Sequence, residues 1–330
     1  MASYMGIMTS QPATGLTTRR NSSYRLWIAL SFLSTYLIWG STYLAIRYAI
    51  ETIPPLVTVA IRHSLAGGVL FLWAWRRGFR PTVRNWAAGA IVGALFFFIG
   101  HGSLHWAEQF VTSGLAALLI ATEPMFILLL GSLAGKEKIN WMNSLGLVVG
   151  LAGVAILGAE GLNLHASNWI GMGAVLLGSL SWSVGVVVSP KLPMPQDSIG
   201  RAAVPVLCGA AMLHVAALLT GEYHQVQWHA VSMKSWLGLG YLVVFGSIVT
   251  FTAYTWLLEH CSPTLVATHT YANPIVAMLL GWWLAGEPVS LRLAVSTVAI
   301  LGAILLIQRG ERVNPSIRPC SEEVRDSPAA

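Results

Sequence analysis

Ala121-Thr122-Glu123-Pro124 places a carboxylate and a proline in the middle of an apolar segment running from Thr112 to Leu133. A shift of 150 positions lays it on Tyr271-Ala272-Asn273-Pro274, and brings Leu133-Ala134-Gly135-Lys136-Glu137 onto Trp283-Leu284-Ala285-Gly286-Glu287. In hydrocarbon a proline frees a backbone carbonyl and an ionisable side chain is expensive, so such a pair belongs where it is buried in protein or lines a cavity. The stretch therefore predicts a polar site near the middle of a membrane.

Composition agrees. Of 330 residues 55% are hydrophobic and 10% charged, and the mean hydropathy is +0.66, outside the range of ordinary soluble domains. Apolar runs long enough for a span recur at about 27–47, 55–75, 86–106, 112–133, 140–158, 168–189, 200–220, 234–256, 264–285 and 290–308. The connections between them are short, which leaves no room for a hidden soluble domain. Residues 1–25 are rich in Ser, Thr and Arg and, like 309–330, are expected to be disordered cytoplasmic ends. The first apolar run is longer than a signal peptide needs and is expected to stay as a span.

A net charge of +6 raises nucleic acid as a partner, but the 19 Lys and Arg sort by side. With a cytoplasmic N-terminus, the inside collects Arg19, Arg20, Arg25, Arg76, Arg77, Arg80, Arg84, Lys136, Lys138, Lys191, Arg201, Arg309, Arg312, Arg318 and Arg325. The outside holds Arg47, Lys234 and Arg292, and Arg62 lies within a span. This is the positive-inside pattern of ten spans with both ends in the cytoplasm. Cys208, Cys261 and Cys320 show neither metal nor disulfide spacing and receive no role.

From Arg84 to Leu157 the chain lies on Lys234 to Ile307 at a constant offset of 150, pairing Trp106 with Trp256, Pro124 with Pro274 and Glu137 with Glu287. An offset of 143 pairs Trp39 with Trp182. Repeats over 26–158 and 168–308 would each have five spans, an odd number, so the second must enter the membrane from the opposite face. The expected fold is thus an all-α membrane protein of ten transmembrane helices in two inverted repeats, the architecture of secondary transporters with a site between the repeats. Small residues at Gly89 and Gly93, and at Gly146, Gly150 and Gly153, predict close helix packing, within the chain or in a homodimer.

Several segments together resemble the EamA family of the drug/metabolite transporter superfamily, in particular its YedA-like permeases. They are Trp39-Gly40-Ser41-Thr42-Tyr43, Ile46-Arg47, Pro54-Pro55, Ala107-Glu108 and Ser113-Gly114-Leu115-Ala116-Ala117 in the first half. In the second half they are Ser181-Trp182, Phe245-Gly246-Ser247-Ile248, Ser262-Pro263, Ala267-Thr268 and Tyr271-Ala272-Asn273-Pro274 through Gly286-Glu287. The resemblance covers about 26–308 and implies a ten-helix carrier with a central cavity, moving small metabolites, amino acids or drugs, usually outward. The chain departs from the pattern at Glu123, where the family often has an apolar residue, and at His101, where a polar amide is common. Any role of these two in coupling rests on physics alone.

The residues singled out as solute-binding are Trp39, Ser41, Thr42, Arg62, His101, Glu123, Trp182, His269 and Asn273. Glu123 lies about ten residues into its span, roughly 15 Å deep, and either exchanges protons or pairs with an amine, or is a neutral carboxyl bonded to a neighbouring helix. Arg62 either snorkels outward or holds a carboxylate. Trp39 and Trp182 are cavity walls or core packing, and His269 shares a helix face with Asn273. Pro124 and Pro274 are expected to bend the fourth and ninth helices. The other tryptophans, including Trp27, Trp73, Trp75, Trp86, Trp141, Trp169, Trp228 and Trp236, fall at span ends as interfacial anchors.

His101, His105 and Glu108 share one face of the third span, with His105 and Glu108 expected at the periplasmic mouth; two histidines and one carboxylate on one helix make a poor metal signature. The expected function is export by alternating access, proton-coupled or by facilitated diffusion, with no cofactor and no ATP-binding motif. The alternatives are a membrane-embedded transferase using His101, His105 and Glu108, and a receptor that moves no solute.

Overall fold

A computed structural model describes residues 14–135, 140–160, 166–261, 263–287, 290–312 and 320. Every regular element among them is helical. That is what an apolar solvent demands, since a helix satisfies its own backbone groups. We label the long elements α1 (Thr14–Ala49), α2 (Pro55–Arg76), α3 (Val83–Ala107), α4 (Ser113–Leu133), α5 (Trp141–Glu160) and α6 (Ala166–Val188). They continue with α7 (Ser198–Leu219), α8 (Met233–His260), α9 (Pro263–Val266 followed by His269–Ala285) and α10 (Leu291–Arg312).

The described segments include 7 helices long and apolar enough to cross a membrane, falling in α1–α4 and α6–α8. The apolar runs of α5, α9 and α10 are shorter, at Trp141–Gly153, Ala272–Ala285 and Ala294–Ala303. Helix α1 begins at Thr14, inside the stretch the sequence assigns to the tail.

Local chemistry sets the boundaries. Thr82 caps α3 in a reciprocal capping box with Asn85, and its repeat counterpart Ser232 caps α8 by accepting from the amide of Ser235. Asp197 caps α7 through the amide of Gly200. Pro55 opens α2, where a missing N–H costs nothing. Two π-helical stretches interrupt α3 and α8, Ala94–His101 and Leu242–Val249, within two residues of equivalence at the offset of 150.

Side chains on the rim are mostly apolar. Trp27, Trp73, Trp75, Trp86, Trp141, Trp169, Trp228 and Trp236 are all exposed, whereas Trp39 and Trp182 are buried. A hydrophobic effect between helices is absent in lipid, so close backbone approach has to supply the adhesion. Helix α2 packs along α7, α5 along α10, α1 against α9, and α4 against α6. Helix α3 meets α6 and α7, while α8 meets α1 and α2. A Cβ added at Gly93 would stand 2.5 Å from the carbonyl oxygen of Pro205, and one at Gly89 2.5 Å from Val204. Gly150 is filled by the Met125 methyl, so these glycine faces are occupied within the chain.

The cysteines depart from the sequence reading. Cys261, at the end of α8, is joined by a disulfide to Cys320, and Cys208 is free. A separation of 59 residues has no spacing signature, and only the return of the chain to the end of α8 brings the two sulfurs together.

Candidate functional site

Helix α4 is interrupted rather than bent. Its first half ends at Ile120, a turn occupies 121–122, and Glu123 and Pro124 are the first two residues of the second half, Glu123–Leu133. Proline is suited to that position because its missing N–H would be unpaired there anyway, and the helix start favours a carboxylate beside it. The hydroxyls of Thr122 and Ser179 pair at 3.1 Å, and Ser183 donates to the carbonyl of Glu123 at 3.2 Å, so α6 closes the exposed turn. In α9 the turn falls at 267–268, upstream of Pro274, which stays inside the helix beginning at His269. The expected matching bends at the two prolines are therefore two breaks about one helical turn out of register.

The second half of α4 starts at a central cavity of about 50 Å³. Trp39, Thr42, Tyr43 and Ile46 of α1 line it, with Arg62 of α2 and Gly100, His101 and Leu104 of α3. Ile120 and Glu123 of α4, Gly178 and Trp182 of α6, and His269 and Asn273 of α9 complete it. Of the residues the sequence singles out, Ser41 alone is absent from this wall. Its hydroxyl pairs with that of Tyr241 at 2.6 Å and donates to the carbonyl of Ile38. Tyr43, Ile46, Gly100, Leu104, Ile120 and Gly178 also line the cavity and are not among the residues the sequence singles out; they fall within one helical turn of ones that are.

Aromatic rings build one side. Trp39 and Trp182 meet edge to face with centroids 6.0 Å apart, Trp39 packs on His269 at 4.7 Å, and Trp182 stacks on Phe96 at 4.2 Å and on His101 at 5.2 Å. Trp39 donates to the carbonyl of Gly246 and Trp182 to the hydroxyl of Tyr254, so both indoles are held in place. Glu123 is 3% exposed, and one of its carboxyl oxygens has no hydrogen-bond partner. The side-chain oxygen of Asn273, its repeat counterpart, is likewise without a partner. Arg62 does not snorkel: at 2% exposure it donates Nε–H to Ser247 at 2.7 Å, with its Nη1 3.5 Å from His105 Nε2.

A layer of buried polar groups lies next to the cavity. His63 Nε2 and His101 Nδ1 are 2.9 Å apart, and His105 Nδ1 bonds the carbonyl of His101 at 2.8 Å. His105 and Glu108, expected at the periplasmic mouth, are buried, and neither Glu108 oxygen has a hydrogen-bond partner. Burial and the neighbouring carboxylate of Glu287 push the Glu108 carboxyl well above the usual range, opposed by Arg47 and Arg62. Above this layer Glu287 pairs with Arg47 at 3.1 Å and accepts from the hydroxyl and amide of Ser113, so α1, α4 and the end of α9 are tied together. Among the described residues no group of three His, Cys, Asp or Glu side chains is arranged to hold a metal ion.

The opposite end is open. A larger cavity of about 330 Å³ is walled by Val92 and Phe96 of α3, the stretch around Pro190–Gln196, Arg201 of α7, and Phe251, Thr255 and Glu259 of α8. Arg201 and Glu259 form an ion pair on its wall at 3.2 Å. Phe96, which also stacks on Trp182, stands between the two cavities.

The EamA-like transporter family matches residues 26–159 and 169–309 of the chain. The chain is 34% identical over 301 residues to the inner membrane transporter YedA of Escherichia coli (strain K12), covering 90% of this chain and 95% of that protein. It is 29% identical to the transporter YoaV of Bacillus subtilis (strain 168), over 84% of this chain and 94% of that one. A crystal structure of a protein 21% identical superposes with a TM-score of 0.65 over 87% of this chain and 98% of that chain, which shows a shared fold.

Proposed function

Because the chain belongs to the EamA-like transporter family, we propose that it is a ten-span secondary transporter of the bacterial inner membrane that exports small metabolites, amino acids or drugs. The five-helix halves, α1–α5 and α6–α10, form an inverted repeat and rock about the cavity bounded by Trp39, Thr42, Arg62, His101, Glu123, Trp182, His269 and Asn273.

Exchanging the halves leaves the packing partners unchanged, and that carries the proposal. The contact of α1 with α9 becomes that of α6 with α4, α3 with α7 becomes α8 with α2, and α2 with α7 and α5 with α10 map onto themselves. The same exchange holds for side chains: an added Cβ at Gly40 would lie 3.3 Å from Asn273, while Ser183, at the offset of 143, bonds Glu123. Trp39 reaches Gly246, and Trp182 stacks on Phe96, the counterpart of Gly246 at the offset of 150.

Orientation follows from charge. Arg76, Arg77, Arg80, Arg84, Lys191 and Arg201 mark the end with the larger cavity as cytoplasmic, and Arg47 and Lys234 mark the closed end as periplasmic. Solute then enters from the cytoplasm past Phe96 and leaves after the Arg47–Glu287 end parts. A cavity of about 50 Å³ holds a few waters but no metabolite, so the helices must move for solute to occupy it. Glu123 is the proton-exchanging group of the central site.

The test compares extracellular metabolites and resistance to toxic amino acids or drugs in overexpressing and deletion strains, followed by flux of the responding solute in proteoliposomes. Overexpression should raise export of at least one solute that the purified protein then moves. A purified protein that moves no solute across the screened classes, or that returns it chemically altered, sinks the transport reading.

A further inference from the structure

The two ends of the pathway treat equivalent positions differently. At the offset of 150, His101 and His105 of α3 and Glu108, which follows its last residue, correspond to Phe251, Thr255 and Leu258 of α8. The α8 set lines the cavity of about 330 Å³, although Phe251 and Thr255 are themselves buried. On the closed side, His105 is fully buried and Glu108 is 5% exposed. What shuts that side is thus partly a carboxyl group with no hydrogen bond to either oxygen.

A buried carboxylate that accepts no hydrogen bond is far costlier than the neutral acid. The charged and titratable neighbours of Glu108 are Arg47 and Tyr43 of α1, Arg62 of α2, His101 and His105 of α3, and Glu287 beyond α9. None of them bonds it; Arg47 and Glu287 are already paired, and Arg62 is engaged with Ser247. On opening, water would reach Glu108 and stabilise the ion.

We propose that Glu108 is a proton-binding site of the periplasmic gate, distinct from Glu123: its carboxylate takes a proton from the outside water, and the neutral acid is then buried as the gate closes. One O–H bond forms on the carboxylate as one breaks on a hydronium ion, and no other bond changes. The inference rests on the transport reading and on the orientation given above. Its sign is defined. The closed state holds one more proton than the open one, so external acid closes the gate and external base opens it. On reopening the same proton returns to the outside water, so the site sets how acid biases the gate and by itself carries no net proton inward. Protonation of His101 or His105 works in the opposite sense, since a charged imidazole beside Arg62 favours opening.

Ile46 faces the central cavity and is 1% exposed. In a chain with Cys208, Cys261 and Cys320 replaced by serine, Ile46→Cys is labelled in right-side-out vesicles with a membrane-impermeant maleimide. Labelling at each pH, divided by that of Trp228→Cys at an exposed position to cancel the falling thiolate fraction, should drop roughly fivefold as external pH goes from about 8 to about 5.5. Adding Glu108→Gln, which mimics the neutral acid, should hold this normalised labelling low and flat across that range, and Glu108→Asp should restore the acid response. A Glu108→Gln protein that still closes in acid overturns the proposal. So does labelling that rises in acid or never occurs from outside, both of which are readable without any Glu108 variant. A pH-dependent gate in a protein that moves no solute would leave this site standing and remove the transport function.

Discussion

The indole N–H of Trp39 donates to the carbonyl of Gly246 at 2.9 Å, joining α1 to the π-helical stretch of α8. A π turn shifts its hydrogen bonds by one residue and leaves a carbonyl for an outside donor. Glycine lets that donor approach, because a Cβ at 246 would already lie 3.0 Å from both Thr42 and Arg62. The cavity wall is thereby held where the helix ladder is weakest.

Removing the donor alone should cost a single hydrogen bond. Trp39→Phe is expected to lower stability by about 1 kcal/mol, and Trp39→Ala by about 3–5 kcal/mol as the ring is lost. Thermal unfolding of the purified protein in detergent separates the two; equal melting temperatures for both variants would show that the bond and the packing are not held as described.

Backbone contact between α3 and α7 makes a sharper demand. Gly93→Ala places a methyl 2.5 Å from the Pro205 oxygen and 2.8 Å from the Gly209 nitrogen, so about 1–3 kcal/mol of stability should be lost despite the better helix propensity of alanine. Gly173→Ala on α6 meets nothing within 4 Å and should melt at or above the parent temperature.

At the central site, Glu123→Gln keeps size and polarity and removes titration. Efflux in proteoliposomes should lose its dependence on a proton gradient while solute exchange survives in part. Unchanged pH dependence would take Glu123 out of coupling.

Glu222 provides a stability test outside the spans. Its carboxylate accepts from the amides of Leu56 and Val57 at the start of α2, at 2.7 and 3.2 Å. Burial raises its carboxyl above the usual value of 4.5, and the two amide bonds lower it by less. The folded state then binds the proton more tightly than the unfolded chain. Stability should be greatest below the ordinary carboxylate range and decline as pH rises through the raised value. Glu222→Gln, which can still accept at one oxygen, should flatten melting temperature against pH over that interval; an undiminished slope would assign it to other groups.

Hydropathy made the long apolar helices legible, since it is a one-dimensional property of the chain. Depth also points to Arg62 and Glu123, for polar groups so far from either end have few places to go, and the offset of 150 points to Asn273. Rotation about each helix axis was not legible. Ser41 and Thr42 are adjacent in sequence, yet Thr42 lines the cavity and Ser41 turns to Tyr241. Nor did sequence distinguish His105 at a wet mouth from His105 sealed beneath the Arg47–Glu287 pair, because the covering residues come from α1 and from beyond α9. The turn at 121–122 and the Cys261–Cys320 link likewise depend on partners distant in the chain.

The pairings of α2 with α7, α5 with α10 and α1 with α9 all cross from one half to the other. Residues 26–158 and 168–308 are therefore units of sequence but not of folding. During synthesis the early helices must wait in the lipid, each with its sticky glycine face uncovered, until their mates arrive. Severing the chain between α5 and α6 should be tolerated when both fragments are made together, and either fragment made alone should be cleared by the membrane proteases of the cell.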